Sequence, residues 1–405
     1  MVCGLKKFLA WTENQDQMKI GIDARFLTHP QLGGFKTYTE NLIRALSQVD
    51  NDNHYMIYVD RQPSKGTEFV SDNFTYKVVP ATLPVFGMPI REQVTLRRQI
   101  THDKLDIVHF LCNTAPVNFS DKFILSLLDV IQVKSPQNFP NVKGQAQFKQ
   151  WVINTYSKWT ILNSVKFARK IITLSNYEKE QIVKYLGIKP QRVGVTHMAP
   201  NSVYYPVDNE TKEVWRSEMR QKLDLPTRFI LGVGYEPRKN IPLLIKAFSQ
   251  IVPRHPGLDL VVVAAQEDRR TYFQQLSTQL GIDNRVYILG AVQPGDLAIL
   301  YNLAEVFVFP SERESFGLPP LEAIACGVPT IAMNMTSLPE VLEDGALLID
   351  GKDVETWANA IEKVLTDDEL RSDLVRRGLK QAEKLTWQRC AEETLKIYCA
   401  VGDEA

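Results

Sequence analysis

The stretch from Val306 to Ile331 constrains this chain more than any other. Val306-Phe-Val-Phe309 is a short unbroken apolar run, which suits a parallel strand buried on both faces. A polar loop holding Glu314 leads to Gly317, and Pro319 and Pro320 then fall where a helix accepts proline, in its first turn. Gly327 ends that helix and Pro329 bars its continuation. Val328 to Ala332 reads as the next buried strand. The spacing predicts a strand–loop–helix–strand unit, with Glu314 before the helix start and Glu322 about one turn inside it.

Ligands bind at the C-terminal ends of strands in open α/β sheets, so this loop is a candidate site. The free amides of Gly317 and Leu318 at the helix start suit an anion such as a diphosphate. Two carboxylates flanking a phosphate are costly unless they do something else, and accepting paired sugar hydroxyls is a use that fits. Glutamates eight residues apart are a weak signal alone, since solvated helices carry them everywhere. Glu-Ser-Phe-Gly-Leu-Pro-Pro-Leu-Glu-Ala after a buried strand is much stronger than an incidental surface loop would give.

This stretch resembles the donor-sugar signature of the retaining two-domain (GT-B) glycosyltransferases of the large group 1 family (glycosyltransferase family 4 type). Sucrose synthase and bacterial mannosyltransferases are in that group. The resemblance implies that Glu314 contacts the donor sugar's hydroxyls and that Glu322 holds the nucleotide ribose. Ser315, Phe316, Gly317 and Leu318 complete the donor-binding loop it implies.

The rest of the chain sets bounds. Its 405 residues suggest two or three domains. With 47 basic and 47 acidic residues the net charge is zero, so no global field favours nucleic acid or an anionic membrane. Cys3, Cys112, Cys326, Cys390 and Cys399 are scattered, odd in number and without metal-like spacing, which points to structural thiols in a reducing compartment. No stretch approaches a membrane span, and the apolar part of Leu5–Trp11 is too short for a signal peptide. Residues 1–17 read as an N-terminal extension, because Met18 immediately precedes the first strand.

In order, Ile20–Ala24 reads as strand one, leading to Gly33-Gly34 and a helix with apolar spacing at Tyr38, Leu42, Ile43 and Leu46. A glycine pair there serves either a tight turn or the approach of backbone to a phosphate or sugar. By resemblance it is the glycine loop that faces the interdomain cleft. Further strands are expected at Tyr55–Val59, Tyr76–Val79, Asp106–Phe110, Phe123–Leu128, Ile171–Ser175 and Val193–His197, with an amphipathic helix at Arg91–Ile100. His109, at a strand end, reads as a packed side chain rather than a catalytic one. A seam near Pro200–Pro206 precedes a second alternation of strands and helices, at Phe229–Tyr235, Leu258–Ala264 and Val286–Leu289. Asn240 is expected to cap the helix that has Pro242 in its first turn.

The fold class is therefore α/β, with two doubly wound Rossmann-like domains, and the resemblance implies that they face each other across a cleft in the GT-B manner. The expected division is an extension over 1–17, an acceptor-side domain over 18–205 and a nucleotide-sugar domain over 206–387. Residues 388–405 form a last helix that, by resemblance, crosses back to the first domain.

Arg238 and Lys239 stand at a strand-to-helix junction of the second domain. Two cations at a helix N-terminus oppose its dipole, so their use lies elsewhere, and a diphosphate leaving group fits. A solvated basic pair is the blander alternative. The family commonly has an arginine some residues before the lysine; Tyr235 or Gly234 falls near that place here, and Arg238 is the substitute. Thr336-Ser337 followed by Pro339-Glu340-Val341 matches the family's nucleotide-side loop. The family's His-Asp at the end of a first-domain strand is Leu128-Asp129 here. That leaves Asp129 as a catalytic candidate and puts apolar contact where a histidine would meet the donor sugar near its sixth carbon.

The expected function is transfer of a hexose from a nucleotide-diphosphate sugar to a hydroxyl acceptor, and the resemblance implies that the anomeric configuration is retained. The donor classes left open are GDP-mannose, a UDP-hexose or a dTDP-6-deoxyhexose, and the acceptor is a glycan or a lipid-linked hydroxyl. No Asp-x-Asp sits at a strand end, so no metal or other cofactor is required by the sequence, and no nucleic acid partner is expected. The expected location is cytoplasmic, with peripheral association on the inner membrane face left open. Two rivals remain: a nucleotide-sugar epimerase on the same architecture, and a catalytically silent sugar-nucleotide-binding subunit.

Overall fold

The computed structural model describes residues 17–29, 33–63, 71–83, 86–134 and 145–404. Leu5–Trp11, Cys3 and nearly all of the expected extension lie outside them. Contacts divide the chain into two compact units. Unit 1 holds the chain to Thr173, Glu178–Thr196 and Gln388–Ala405, and unit 2 holds Leu174–Tyr177 and His197–Trp387.

Among the described residues, unit 1 contains seven parallel strands: β1 (Lys19–Asp23), β2 (His54–Val59), β3 (Phe74–Val78), β4 (Ile107–Phe110), β5 (Phe123–Ser126), β6 (Lys170–Thr173) and β7 (Val193–Val195). Their order is β3-β2-β1-β4-β5-β6-β7. Unit 2 contains six: β8 (Arg228–Val233), β9 (Leu258–Val263), β10 (Val286–Leu289), β11 (Val306–Phe309), β12 (Thr330–Met333) and β13 (Leu347–Ile349). Their order is β10-β9-β8-β11-β12-β13. Both orders are 3-2-1-4-5-6 from the first strand of the unit, with unit 1 adding a seventh. Each sheet therefore reverses its winding beside its first strand, where such folds bind ligands.

The central strands β4, β5, β11 and β12 are buried along their whole length, which is why each reads as an apolar run. Unit 2 packs its sheet against the Ile241–Ile251 helix through Leu244, Ile245 and Phe248, and against Trp357 and Ile361. In unit 1, Phe110, Phe119 and Phe123 form an edge-to-face cluster beneath Ile161 and Val165.

Two local expectations need correction. Asn240 does not cap through its side chain. It adopts φ 52°, which asparagine tolerates, and joins a 3-10 turn (Pro237–Lys239) to the helix by backbone bonds. The Arg91–Ile100 segment is helical within Gly87–Asp103, but residues Arg91–Leu96 wind as a π-helix and the polarity is partly inverted. Arg91 and Glu92 are buried while Ile90 and Val94 are exposed. The cause is a buried ionic network: Arg91 Nη2 meets Asp23 at 2.9 Å, and Arg25 Nη2 meets Glu92 at 2.7 Å and Thr114 Oγ1 at 2.9 Å. Paired in this way the charges are tolerated inside.

Cys112, Cys326 and Cys390 are buried free thiols, and Cys399 is half-buried. Among the described residues no helix is long and apolar enough to cross a membrane.

Candidate functional site

In unit 2 the winding reverses between β8 and β11, which are hydrogen-bonded neighbours. The loop after β8 carries Gly234 to Asn240, and the loop after β11 carries Pro310 to Gly317. The Glu312 N–H donates to the Arg238 carbonyl at 2.8 Å, so the two loops are stitched together. Gly234 is required here. Its φ is +145°, and a Cβ at that position would lie 2.7 Å from both Cβ and Cγ of Lys239. The lysine stem passes through the space a side chain would fill.

Arg238, Lys239 and Glu314 are brought together. Glu314 Oε1 accepts from Lys239 Nζ at 2.7 Å, Arg238 Nη1 at 3.1 Å and Ser311 Oγ at 2.5 Å. Among the described residues Oε2 accepts nothing, which leaves one oxygen of a fixed carboxylate for a ligand hydroxyl. Burial would lift the Glu314 pKa, but Lys239 and then Arg238 outweigh it and hold the group below the ordinary range. Lys239 also lies 4.8 Å from the Phe309 ring centroid, over its face. Arg238 is further tied to Glu236 at 3.3 Å and to the Arg313 carbonyl at 2.7 Å. The two cations are therefore committed to a carboxylate rather than to the helix dipole.

Glu322 lies on the Leu318–Ala325 helix, buried, with Tyr301 OH donating to Oε2 at 3.5 Å. Burial pushes its pKa up to about 8, against the Tyr301 hydrogen bond and the Lys239 charge. The sequence suggested two charged carboxylates. Burial pushes Glu322 toward its protonated form, whereas Glu314 has cations to hold its charge.

Gly317 precedes the helix at φ +101°, and a Cβ there would come within 2.4 Å of Leu338. The loop is pinned from the side. Thr336 Oγ1 accepts from the Glu314 N–H at 3.0 Å, and Ser337 Oγ donates to the carbonyls of Glu314 and Phe316 at 3.0 and 2.9 Å. Phe316 is buried, and the Ser315 carbonyl accepts from Ser175 Oγ at 2.9 Å. Leu318 opens the helix, where the first N–H groups have no intrahelical acceptor. Glu340 accepts from the Asn176 N–H at 2.8 Å and the Tyr177 N–H at 3.2 Å, and meets His197 Nε2 at 2.8 Å. Burial would raise its pKa, but His197 and the two backbone donors bring it below the ordinary range. Ser311 and Tyr301 escaped the sequence reading. Serine three residues before a key glutamate and tyrosine on a helix are too common to signal anything.

The remaining candidates lie in unit 1. Gly33 has φ +146° just before the Gly34–Val49 helix, and a Cβ at either glycine would meet nothing within 4 Å. Conformation at Gly33, not crowding, is what asks for glycine. Asp129 follows β5 and its Oδ1 accepts from the Ile131 N–H at 3.0 Å, a local turn. Leu128 is buried, with its N–H bonded to Asn113 Oδ1 at 2.7 Å. His109 is packed, as expected, between Tyr398 OH at 2.7 Å and Ser126 Oγ at 2.8 Å. Burial alone pushes its pKa down to about 3.

Residues 216–381 match the family model for Glycosyl transferases group 1, and residues 32–199 match that for Glycosyltransferase Family 4. O-antigen chain mannosyltransferase B from Escherichia coli is 33% identical over 247 residues, which is 60% of this chain and 64% of that protein. Serotype-specific mannosyltransferase WbdA from Escherichia coli is 30% identical over 261 residues, 63% of this chain and 31% of that protein. The match thus spans less than two thirds of these relatives. Among solved structures, sucrose-phosphate synthase from Thermosynechococcus elongatus superposes with a TM-score of 0.71 at 20% identity, over 96% of this chain and all of that one. That likeness shows the fold.

Proposed function

From a chain that belongs to the group 1 glycosyltransferases through residues 216–381 and to glycosyltransferase family 4 through residues 32–199, we propose an enzyme that transfers a hexose from a nucleotide-diphosphate sugar to a hydroxyl. We carry retention of anomeric configuration over from the family resemblance. The mannosyltransferase relatives favour a mannosyl donor, and the acceptor is proposed to be a glycan or a lipid-linked hydroxyl. The observation that carries this reading is the Glu314 carboxylate, with Oε1 held by Lys239, Arg238 and Ser311 and Oε2 accepting from none of the described residues.

In this reading unit 2 binds the donor. The diphosphate takes the amides of Gly317 and Leu318 and shares Arg238 and Lys239 with Glu314. As the sugar–phosphate bond breaks, negative charge grows on the leaving diphosphate, and cations already fixed in place stabilise it without reorganising. Glu314 Oε2 accepts a donor-sugar hydroxyl and orients the anomeric carbon. Glu322 accepts the ribose diol. Excluding water keeps the sugar from hydrolysis. By the same resemblance Gly33 and Gly34 of unit 1 are donor-binding candidates and Asp129 is a catalytic candidate. These residues call for no metal.

The test is sugar release from labelled GDP-mannose, UDP-glucose, dTDP-rhamnose and GDP-fucose, with and without glycan acceptors, and the product anomer read by NMR. The 6-deoxy donors belong in the panel because Leu128 stands where the family has histidine. One donor should transfer with retention, and Lys239→Ala should lower turnover about 10²-fold while nucleoside binding changes little. Transfer from none of the four, or loss of nucleoside binding equal to the loss of turnover, would overturn the reading.

A further inference from the structure

Arg313 sits directly before Glu314, and the reaction described above does not use it. Its Nε and Nη2 are sealed from solvent and have no hydrogen-bond partner among the described residues. The cations nearby are all paired. Arg238 holds Glu314 and Glu236, Lys239 holds Glu314, and Lys352 holds Glu312 at 2.5 Å. Among the described residues Arg313 alone of the four has no carboxylate partner. Its backbone is nonetheless fixed, since its carbonyl accepts from Arg238 Nη1 at 2.7 Å and the next N–H is held by Thr336.

A guanidinium is charged at any ordinary pH and has no acceptor atom, so only an acceptor can satisfy it. Buried donors in native proteins nearly always find one, and an orphan calls for an explanation. Nε and Nη2 are moreover the two nitrogens of one edge of the fork. Their N–H groups run side by side, the geometry that takes two oxygens of a phosphate or carboxylate at once.

We infer that Arg313 is a third cation of the unit 2 site, whose free Nε–Nη2 edge closes on a phosphate-type anion brought by a ligand. The inference rests on the reading of unit 2 as a donor site. The anion is either the donor's diphosphate or a phosphate on the acceptor, and the two sources separate experimentally. A ligand-waiting arginine also has a signature that a structural one lacks. Removing it relieves the ligand-free protein of unmet donors and costs only affinity.

The experiment uses the full chain, its Arg313→Gln, Arg313→Lys and Arg313→Met variants, and Lys239→Ala in parallel. Calorimetry measures inorganic pyrophosphate, GDP and UDP, then inorganic phosphate with saturating nucleotide present; melting is followed without ligand and with pyrophosphate. For the donor source, Arg313→Gln should weaken pyrophosphate about tenfold or more, with Arg313→Lys recovering only part because it lacks the fork. For the acceptor source, pyrophosphate is unmoved and phosphate binding in the nucleotide complex falls by the same factor. In both cases the ligand-free melting temperature of Arg313→Met equals or exceeds that of the parent. Unchanged affinity for every probe, or a ligand-free melting temperature that drops in Arg313→Met, overturns the inference. If Lys239→Ala loses pyrophosphate while Arg313→Gln loses neither pyrophosphate nor phosphate, the donor-site reading survives and the inference about Arg313 falls. If the parent binds none of the probes, both fall.

Discussion

Glu314 and Glu322 are the same residue type eight positions apart, and burial sends them in opposite directions. Glu314 has Lys239 and Arg238 against it and stays charged, whereas Glu322 has one long hydrogen bond from Tyr301 and a pKa of about 8. A ribose diol that donates to Glu322 would favour its charged form, so nucleotide binding below pH 8 should release a proton. Affinity should then rise with pH up to about 8. Glu322→Ala should weaken nucleoside-diphosphate binding by about 1–3 kcal/mol. Calorimetry in buffers of different ionisation enthalpy reads both effects, and Glu322→Gln should abolish the proton release. Equal affinity in Glu322→Ala would remove the residue from the ribose site. Identity and spacing were legible in the sequence, since Glu314, Glu322, Arg238 and Lys239 all stand out by position. Their charge states were not, because those depend on Ser311, Tyr301 and on which partner each group meets after folding.

At the scale of elements, apolar runs were easy to read and turns were not. Val306–Phe309 and Val286–Leu289 match their expected strands residue for residue; the first is covered on both faces, which leaves no polar position to confuse the pattern, and the second is an edge strand whose four side chains are still all apolar or aromatic. Asn240 has the right residue type for a helix cap, yet a 3-10 turn from Pro237 delivers it in a left-handed conformation instead. Arg91 and Glu92 look like the wet face of a helix and are buried, since Asp23, Arg25 and Thr114 come from distant sequence to meet them. Gly234 is the element-scale prediction. A Cβ there meets the Lys239 stem at 2.7 Å, and the backbone φ of +145° disfavours a side chain in any case. Gly234→Ala should cost about 1–3 kcal/mol of stability and shift Lys239 off Glu314. Turnover should fall with that shift while nucleoside binding holds. A variant with parental turnover would show that the lysine does not need this register.

At the scale of the whole molecule, the chain builds one doubly wound unit, then a second, and returns its last helix to the first. That return is fixed by a buried chain of polar groups: Tyr398 OH, His109, Ser126 Oγ and Tyr38 OH, at 2.7, 2.8 and 2.9 Å. Two winding patterns of the same order were visible as alternating strands and helices, but this chain was not, because Tyr398 and His109 stand 289 residues apart. The two units should consequently answer pH in opposite senses. His109, with a pKa of about 3, stays neutral where the unfolded chain takes up a proton below about 6.5, so unit 1 loses stability as pH falls through 6.5. Glu322 keeps its proton to about pH 8 where the unfolded chain has lost it above about 4.5, so unit 2 loses stability as pH rises through that window. The groups with lowered acid pKa values, such as Glu314 and Asp60, act only below this range and leave it clear. Hydrogen exchange followed by mass spectrometry on peptides from β4 and from β11 separates the units. Between pH 5 and pH 8, protection in β4 relative to β11 should increase. His109→Gln should flatten the unit 1 response, and Glu322→Gln should flatten that of unit 2. Parallel responses in both units, unmoved by either substitution, would mean that these two buried groups do not govern the pH dependence of the fold.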